Sequence, residues 1–591
     1  MIIDKITNLT ANAIKSLYNI DIDKSQIAVQ TTRQDIEGDF TVVVFPFTKF
    51  SKKKPAETAQ EIGENIFPAY SEIESFNVVN GFLNFVMKKS FWTSLMINNC
   101  WSQNYGHKIV NDENKILIEF SSPNTNKPLH LGHVRNNLIG ESVSNILTAA
   151  GKKVIKVNLV NDRGIHICKS MIAWQKWGEG KTPESTETKG DHLVGDCYVD
   201  FDKHYKEEIK DLMDTGMPEE EAKANAPLMQ ETREMLQQWE AGNEEILSLW
   251  SKMNSWVYDG FDKTYKRLGI SFDKIYYESQ TYLLGKKIVE EALEKNILTR
   301  DDDNSVWIDL TSDGLDRKLL LRKDGTSVYI TQDLGTAILR HEDFNPNKMI
   351  YVVGNEQIYH FDVLKLTLKH LGYNWADSIF HLSYGMVELT TGKMKSREGT
   401  VVDADDLMDE MYDSALLIIN EQGRANVADA ENLANIVGLA ALKYFILKVD
   451  PKKQMLFDPS ESIDFNGNTG PFIQYTHARI CSLLDKADLD ISNYNLSKDF
   501  CNYNESELNI LKTLHEFPYV LDKAANDFSP ALIANYVYEL SKQYNKFYQE
   551  VNVLREENVE LKMMRLLLSK FTANVIKNGM KLLGIEVPNR M

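Results

Sequence analysis

The sequence predicts an α/β protein. Its expected plan is a doubly wound parallel sheet with a helical insertion, a small N-terminal α/β domain and an all-α C-terminal bundle. Three observations carry this prediction. Residues 111 to about 165 read as strand, helix and strand: Ile116-Leu117-Ile118 is apolar, Val134, Leu138, Ile139, Val143, Ile146 and Leu147 share one helical face, and Val154 to Val160 is a second strand. Such a βαβ unit implies a parallel sheet and doubly wound architecture. The chain has 591 residues, too many for one core. From about residue 406 onward the pattern is almost entirely helical.

Taken in order, residues 1–110 form the first unit. An amphipathic helix (Ile6, Leu9, Ala13, Leu17) opens it, and strands are expected at Phe40-Thr41-Val42-Val43-Val44 and Gly81-Phe82-Leu83-Asn84-Phe85-Val86. The opening residues lack a signal-peptide layout, and no uninterrupted apolar run is long enough to span a bilayer, so a cytoplasmic protein without a membrane is expected. Residues 111–405 form the nucleotide-binding unit. Within it, residues from about 166 to 300 are charged, mostly helical and marked by Trp174, Trp177, Trp239, Trp250 and Trp256, which reads as an insertion. Its second half is expected to hold strands near 306–310, 327–331 and 349–353. Residues 406–591 form the helical bundle.

Composition excludes several classes. The net charge of −19 argues against a nonspecific nucleic-acid binder and gives no support for DNA, although local patches such as Lys49-Phe50-Ser51-Lys52-Lys53-Lys54-Pro55 fit either phosphate contact or a solvated loop. Five scattered cysteines without a C-x-x-C pair support neither a zinc site nor a disulfide framework; inert or buried thiols and no protein-bound metal are expected. Gly178-Glu179-Gly180-Lys181-Thr182 imitates the end of a Walker motif, but Gln175 stands where its first glycine belongs and no apolar strand precedes it.

The most informative stretch is Glu119-Phe120-Ser121-Ser122-Pro123-Asn124-Thr125-Asn126-Lys127-Pro128-Leu129-His130-Leu131-Gly132-His133. A strand runs into a Pro-bracketed loop, and two histidines open a helix. Free N–H groups and the helix dipole there suit phosphate. His130 and His133 add ring donors, and Gly132 leaves room for a base or ribose. Chance placement at a helix start is the bland alternative. Downstream, Gly392-Lys393-Met394-Lys395-Ser396-Arg397-Glu398-Gly399 is a basic, Gly-bounded segment that suits a triphosphate, or else a solvated loop.

A carboxylate beside a tyrosine hydroxyl or ring face suits a cationic, hydrogen-bonding ligand group. Tyr329-Ile330-Thr331-Gln332-Asp333 offers one at a strand-to-helix junction, with Asp333 as a helix N-cap as the alternative. Glu119, at the ligand edge of the first strand, is a second candidate anion. In the bundle, Phe472, Tyr475 and Arg479 share a helix face and suit either stacking on splayed bases or a core face.

The string S-S-P-N-x-x-K-P-x-H-x-G-H resembles the "HIGH" signature of class I aminoacyl-tRNA synthetases, and the S-S-P-N form resembles the arginyl-tRNA synthetases in particular. K-M-K-S-R resembles their "KMSKS" loop, with a departure: aligned on Met394, the second lysine falls on Ser396, between Lys395 and Arg397. Family members lacking that lysine tend to carry one just before HIGH, the place of Lys127. The resemblance implies a Rossmann-like catalytic domain and ATP bound by Lys127, His130, Gly132, His133, Gly354, His360, Met394, Lys395 and Ser396. It implies arginine held by Glu119, Ser122, Asn124, Tyr329, Asp333 and Gln357, and catalytic roles for His130, His133, Lys127, Lys395 and Arg397. It further implies tRNA contacts from Asn80, Phe82 and Asn84 in the N-terminal domain, and from Phe472, Tyr475, Arg479 and Met591 in the anticodon-binding bundle. The implied reaction is formation of arginyl-adenylate from L-arginine and ATP with Mg2+, followed by transfer to tRNA(Arg), by a monomer that needs bound tRNA for activation. Another class I synthetase and a non-catalytic tRNA-binding relative are the alternatives.

Overall fold

The computed structural model describes residues 2–33, 35–389, 402–421, 427–487, 489–491, 494 and 496–591. Lys395, Arg397, Met394 and Ser396 lie outside the described residues.

The N-terminal domain is a four-stranded antiparallel sheet. Its strands β1 (Val29–Thr31), β2 (Phe40–Val43), β3 (Ile73–Val79) and β4 (Phe82–Met87) run in the order β1-β2-β4-β3, beneath helices Ile2–Tyr18 and Pro55–Ile66. Alternation in β4 sends Leu83 and Phe85 into the core. The domain docks on the C-terminal bundle: Lys512 ion-pairs Asp39 at 2.6 Å, and the Tyr519 hydroxyl accepts from the Ile3 amide at 3.2 Å.

The catalytic unit holds a five-stranded parallel sheet. Strands β5 (Asn111–Glu119), β6 (Lys152–Val160) and β7 (Lys274–Tyr277) precede a separate antiparallel sheet of β8 (Thr299–Arg300), β9 (Val306–Ile308) and β10 (Lys318–Leu321). Then β11 (Lys348–Gly354) and β12 (Ile379–Tyr384) complete the order β12-β11-β5-β6-β7. The direction of strand addition reverses between β5 and β11. That switch point opens a crevice at their carboxyl ends, where doubly wound sheets bind ligands.

Helix Leu131–Ala149 lies between the sheet and the bundle, which explains why its polar positions are buried too. Arg135 donates to the Lys453 carbonyl at 2.7 Å, the Ser142 hydroxyl to the Leu582 carbonyl at 3.0 Å, and Lys156 ion-pairs Glu141 at 3.0 Å. Gly140 permits the close approach to β5: a Cβ there would stand 2.2 Å from the Phe120 ring. Gly151, at φ +88°, turns the chain back into β6. Helices Tyr329–Phe344 and Ile358–His370 cover the opposite face, burying Leu334, Ala337, Val363 and Leu364 against Leu117, Val157 and Tyr351.

Several expectations are corrected. The segment 327–331 is no strand: Leu321 and Ser327 form one bridge and a helix begins at Tyr329. The strand at 306–308 belongs to the small antiparallel sheet, not the parallel one. The segment 166–300 is mostly helical as expected, but it is not all insertion: after Leu268, β7 returns to the sheet, where Lys274-Ile275-Tyr276-Tyr277 pairs with Val157–Val160, and helix Leu284–Glu294 follows. One run, Asp429–Leu447, is long and apolar enough to cross a membrane by length and composition, but it is a mostly buried core helix of the bundle.

The C-terminal region comprises helices Ala404–Glu421, Val427–Leu447, Gly470–Asp485, Glu505–Asp527, Pro530–Glu550 and Val559–Leu582. A short strand pair, β13 (Val387–Leu389) and β14 (Met455–Phe457), staples it to the sheet.

Candidate active site

The switch-point crevice is built from the loop after β5. Ser121 and Ser122 both take positive φ (80° and 46°), a strained double kink for non-glycine residues. It is held by two buried amides: Asn136 Oδ1 accepts from the Ser121 N–H at 2.6 Å, and Asn158 Oδ1 from the Ser122 N–H at 3.0 Å. Tyr265 fixes the Ser121 hydroxyl at 2.7 Å. Asn136 also donates to the Val352 carbonyl of β11 at 2.7 Å, tying the two walls together.

His130 and His133 cap their own helix. His130 Nδ1 accepts from the Gly132 amide at 3.1 Å, and His133 Nδ1 accepts from the His130 amide at 3.2 Å. The rings stand 3.9 Å apart. Burial, helped by Lys127, pulls His130 down to about 4; burial, then His130 and Lys127, pulls His133 well below its ordinary value. Both rings are therefore neutral, and with Nδ1 accepting, the proton sits on Nε2. The result is a pair of fixed N–H donors. They line a cavity of about 220 Å³ together with Ser121, Ser122, Gly132, Asn136, Val352, Val353, Tyr384, Met386 and Val387. Lys127 is half-buried in the same loop.

Across the crevice, Asp333 lies one turn into helix Tyr329–Phe344, and its carboxylate meets His360 Nε2 at 2.6 Å. His360 thus stands with this carboxylate. Tyr329, one turn before Asp333, is 78% exposed, so its ring covers nothing in this structure. Gly354 ends β11, and Gln357 follows, exposed, in the turn Asn355–Gln357. Asn124 is exposed and pairs along the backbone with Asn161 beyond β6.

Glu119 is not the open anion that the sequence suggests. It is buried, its Oε2 ion-pairs Arg340, and its Oε1 accepts from the Ser122 hydroxyl at 3.0 Å. Sequence reasoning missed Asn136, Tyr384 and, above all, Glu278. Glu278 follows β7, and burial raises its carboxyl to about 7; Asp162 and Asp333 push the same way and Arg163 opposes them. No local motif flags it, because β7 has four residues inside a helical stretch.

A second feature lies in the bundle. Tyr475, Arg479, Tyr548, Lys570, Trp101 and Met591 line a groove of about 1800 Å³. The Arg479 guanidinium stacks over Tyr475 (4.8 Å) and Tyr548 (5.1 Å). Phe472 leans instead on Tyr538, at 5.5 Å between ring centroids, and does not line the groove. In the N-terminal domain, Asn80 takes the positive-φ turn and Phe82 meets Phe45 edge-on at 5.3 Å. Asn84 is fully buried, bonded to Thr41 and Asn77, and cannot reach a partner.

Residues 96–458 match the family of class I tRNA synthetases (R), catalytic domain; residues 473–591 match the DALR anticodon binding domain; residues 4–87 match the arginyl tRNA synthetase N terminal domain. The chain is 56% identical to an arginine–tRNA ligase of Bacteroides fragilis, covering 100% of this chain and 99% of that protein. It is 52% identical to one of Flavobacterium psychrophilum, covering 98% of each. Among solved structures, the Thermus thermophilus arginyl-tRNA synthetase superposes with a TM-score of 0.81 at 24% identity over the full length of both chains. A Mycobacterium tuberculosis methionyl-tRNA synthetase in complex with methionyl-adenylate shares the fold at a TM-score of 0.51 and 12% identity, covering 80% of this chain and 92% of that one. With three family models in series and full-length identity above half, the chain belongs to the arginyl-tRNA synthetase family of class I aminoacyl-tRNA synthetases.

Proposed function

We infer that the chain activates L-arginine with ATP and transfers the arginyl group to the 3′-terminal adenosine of tRNA(Arg). The observation that carries this reading is a pair of neutral imidazole N–H donors lining the switch-point cavity, together with two carboxyl groups, Asp333 and Glu278, near enough to act on one another.

No enzyme nucleophile is required. A carboxylate oxygen of arginine attacks the α-phosphorus of ATP, the bond to the bridging oxygen breaks, and pyrophosphate leaves. His130 and His133 donate Nε2–H to the phosphates and ribose, Gly132 leaves space beside them, and Lys127 adds the positive charge; Lys395 and Arg397 assist. Catalysis is positioning plus charge stabilisation. Because the imidazoles are already neutral and anchored at Nδ1, they need no reorganisation as charge develops.

Asp333 and Glu278 hold the substrate guanidinium, with Tyr329 and Gln357 closing over the amino acid once it binds. Ser122 and Asn124 take the α-amino and carboxylate groups. Glu119, already paired, orients Ser122 rather than contacting the side chain. A tRNA 2′-hydroxyl then attacks the adenylate carbonyl and AMP leaves. Tyr475, Arg479 and Met591 line the groove for anticodon bases, and Asn80 and Phe82 face the tRNA from the N-terminal domain. We further infer that ATP arrives with Mg2+ and that the protein is a cytoplasmic monomer without DNA or membrane partners; the acidic net charge of −19 fits the last point.

The test is pyrophosphate exchange with each of the amino acids, with and without tRNA. Exchange with arginine alone, abolished by His130→Ala and His133→Ala, supports the reading. Binding of tRNA with no exchange would mark a non-catalytic relative.

A further inference from the structure

Beside Glu278 stands a guanidinium belonging to the chain itself. Arg163 follows β6, and its side chain is 10% exposed. Its Nη2 meets Glu240 at 2.6 Å, and its Nη1 stands 3.9 Å from Glu278. Its Cζ lies 3.9 Å from the centroid of Tyr282 and 5.3 Å from that of Trp239. The neighbouring Asp162 is equally committed. Its carboxylate accepts from the Ser279 amide at 2.8 Å, the Ser279 hydroxyl at 2.7 Å and Tyr258 at 2.9 Å, and so fixes the turn that presents Glu278.

We propose that Arg163 is a positioning residue for arginine selection: clamped by Glu240 and two aromatic rings, it supplies a fixed countercharge to Glu278, so that Glu278 and Asp333 together present a carboxylate pair to the substrate guanidinium. The proposal rests on the reading of Asp333 and Glu278 given above. The geometry supports it in two ways. Arg163 gives its short bond to Glu240, not to Glu278, and at 3.9 Å it supplies charge without a short bond to the Glu278 carboxyl, to which the Gln332 side chain already donates. The aromatic clamp and low exposure keep it from swinging into the crevice and competing with substrate. The groups facing Glu278 are Arg163 and Asp162 from the end of β6, and Gln332 and Asp333 from helix Tyr329–Phe344. Of these only Arg163 is cationic. Burial and both aspartates favour a proton on Glu278, and a protonated carboxyl forfeits the charge pairing with a guanidinium.

The test compares Arg163→Met and Arg163→Lys in the full chain, measuring kcat and KM for arginine and for ATP in aminoacylation at about pH 6.5 and about pH 8.5. Loss of the cation moves Glu278 further up, so Arg163→Met should raise KM for arginine about tenfold at the lower pH, with the deficit shrinking at the higher pH. KM for ATP and kcat at saturating arginine should stay within about twofold, and Arg163→Lys should restore most of the loss. An unchanged KM for arginine in Arg163→Met, or an increase equal at both pH values, overturns the proposal. Glu278→Gln separates the two layers. If it leaves KM for arginine unchanged, the carboxylate-pair reading itself fails; if it raises KM while Arg163→Met does not, only the role of Arg163 fails.

Discussion

Arg340 is the most consequential residue that touches no substrate in this account. It is 1% exposed, ion-pairs Glu119, and lies 5.2 Å and 5.5 Å from the ring centroids of Tyr276 and Tyr351. Through Glu119 it reaches the Ser122 hydroxyl, and so it braces the kinked loop that carries His130. Arg340→Met removes the cation but leaves a buried carboxylate, which costs about 3–5 kcal/mol. In a folding unit of this size that is a fall of about 10 °C in the melting temperature of the catalytic region. Replacing both partners, Glu119→Gln with Arg340→Met, removes the unpaired charge and should recover more than half of the loss, a coupling of about 2–3 kcal/mol. Calorimetry of the parent, the two single variants and the double variant measures this. A single variant that melts within about 2 °C of the parent, or a double variant whose losses simply add, would refute the reasoning.

Three further outcomes are expected. Asp333→Asn should lower kcat/KM for arginine by about 100-fold or more, since the ion pair with the guanidinium is lost and one of two acceptor oxygens is replaced by a donor; an exchange rate near that of the parent would remove Asp333 from the site. Lys127→Ala should cut the activation rate by about 100-fold while leaving arginine affinity within about twofold, and an unaffected rate would sink its assignment to phosphate. His192 contacts Asp405 at 3.3 Å and Asp403 at 3.5 Å, on the strap whose Val402 carbonyl accepts from the Leu131 amide. Burial lowers its pKa, but Asp405, Asp403 and Asp191 outweigh that and hold it above the ordinary value. A raised folded-state pKa stabilises at low pH and is lost as pH rises through it. His192→Gln should therefore melt below the parent at about pH 6 and match it at about pH 9; an equal deficit at both would mean that the imidazolium contributes nothing.

The legible parts of this chain were those encoded locally. The apolar run of β5, the loop after it and the periodicity of helix Leu131–Ala149 are contiguous, so strand, turn and helix N-terminus could be read together. The helical C-terminal region was legible for the same reason. What escaped had no local signature. Glu278 joins Asp333 only because β7 docks on β6 and brings two distant segments together. The segment expected as a strand at 327–331 is a helix start: only Ser327 bridges Leu321, the helix opens at Tyr329, and the Thr331 hydroxyl donates to the Leu320 carbonyl. Glu119 was read as an open ligand because sequence cannot reveal that Arg340 already faces it. The basic loop carrying Lys395 and Arg397 lies outside the described residues, so its part in the chemistry rests on the sequence.

The most direct measurement is identification of the ester product. The full chain is incubated with ATP, tRNA and an equimolar mixture of amino acids, and the group on the 3′-terminal adenosine is identified by mass spectrometry. Arginine alone is expected on the parent's product, with no ester formed by His130→Ala. Esterification of another amino acid, or none by the parent chain, would contradict this reading.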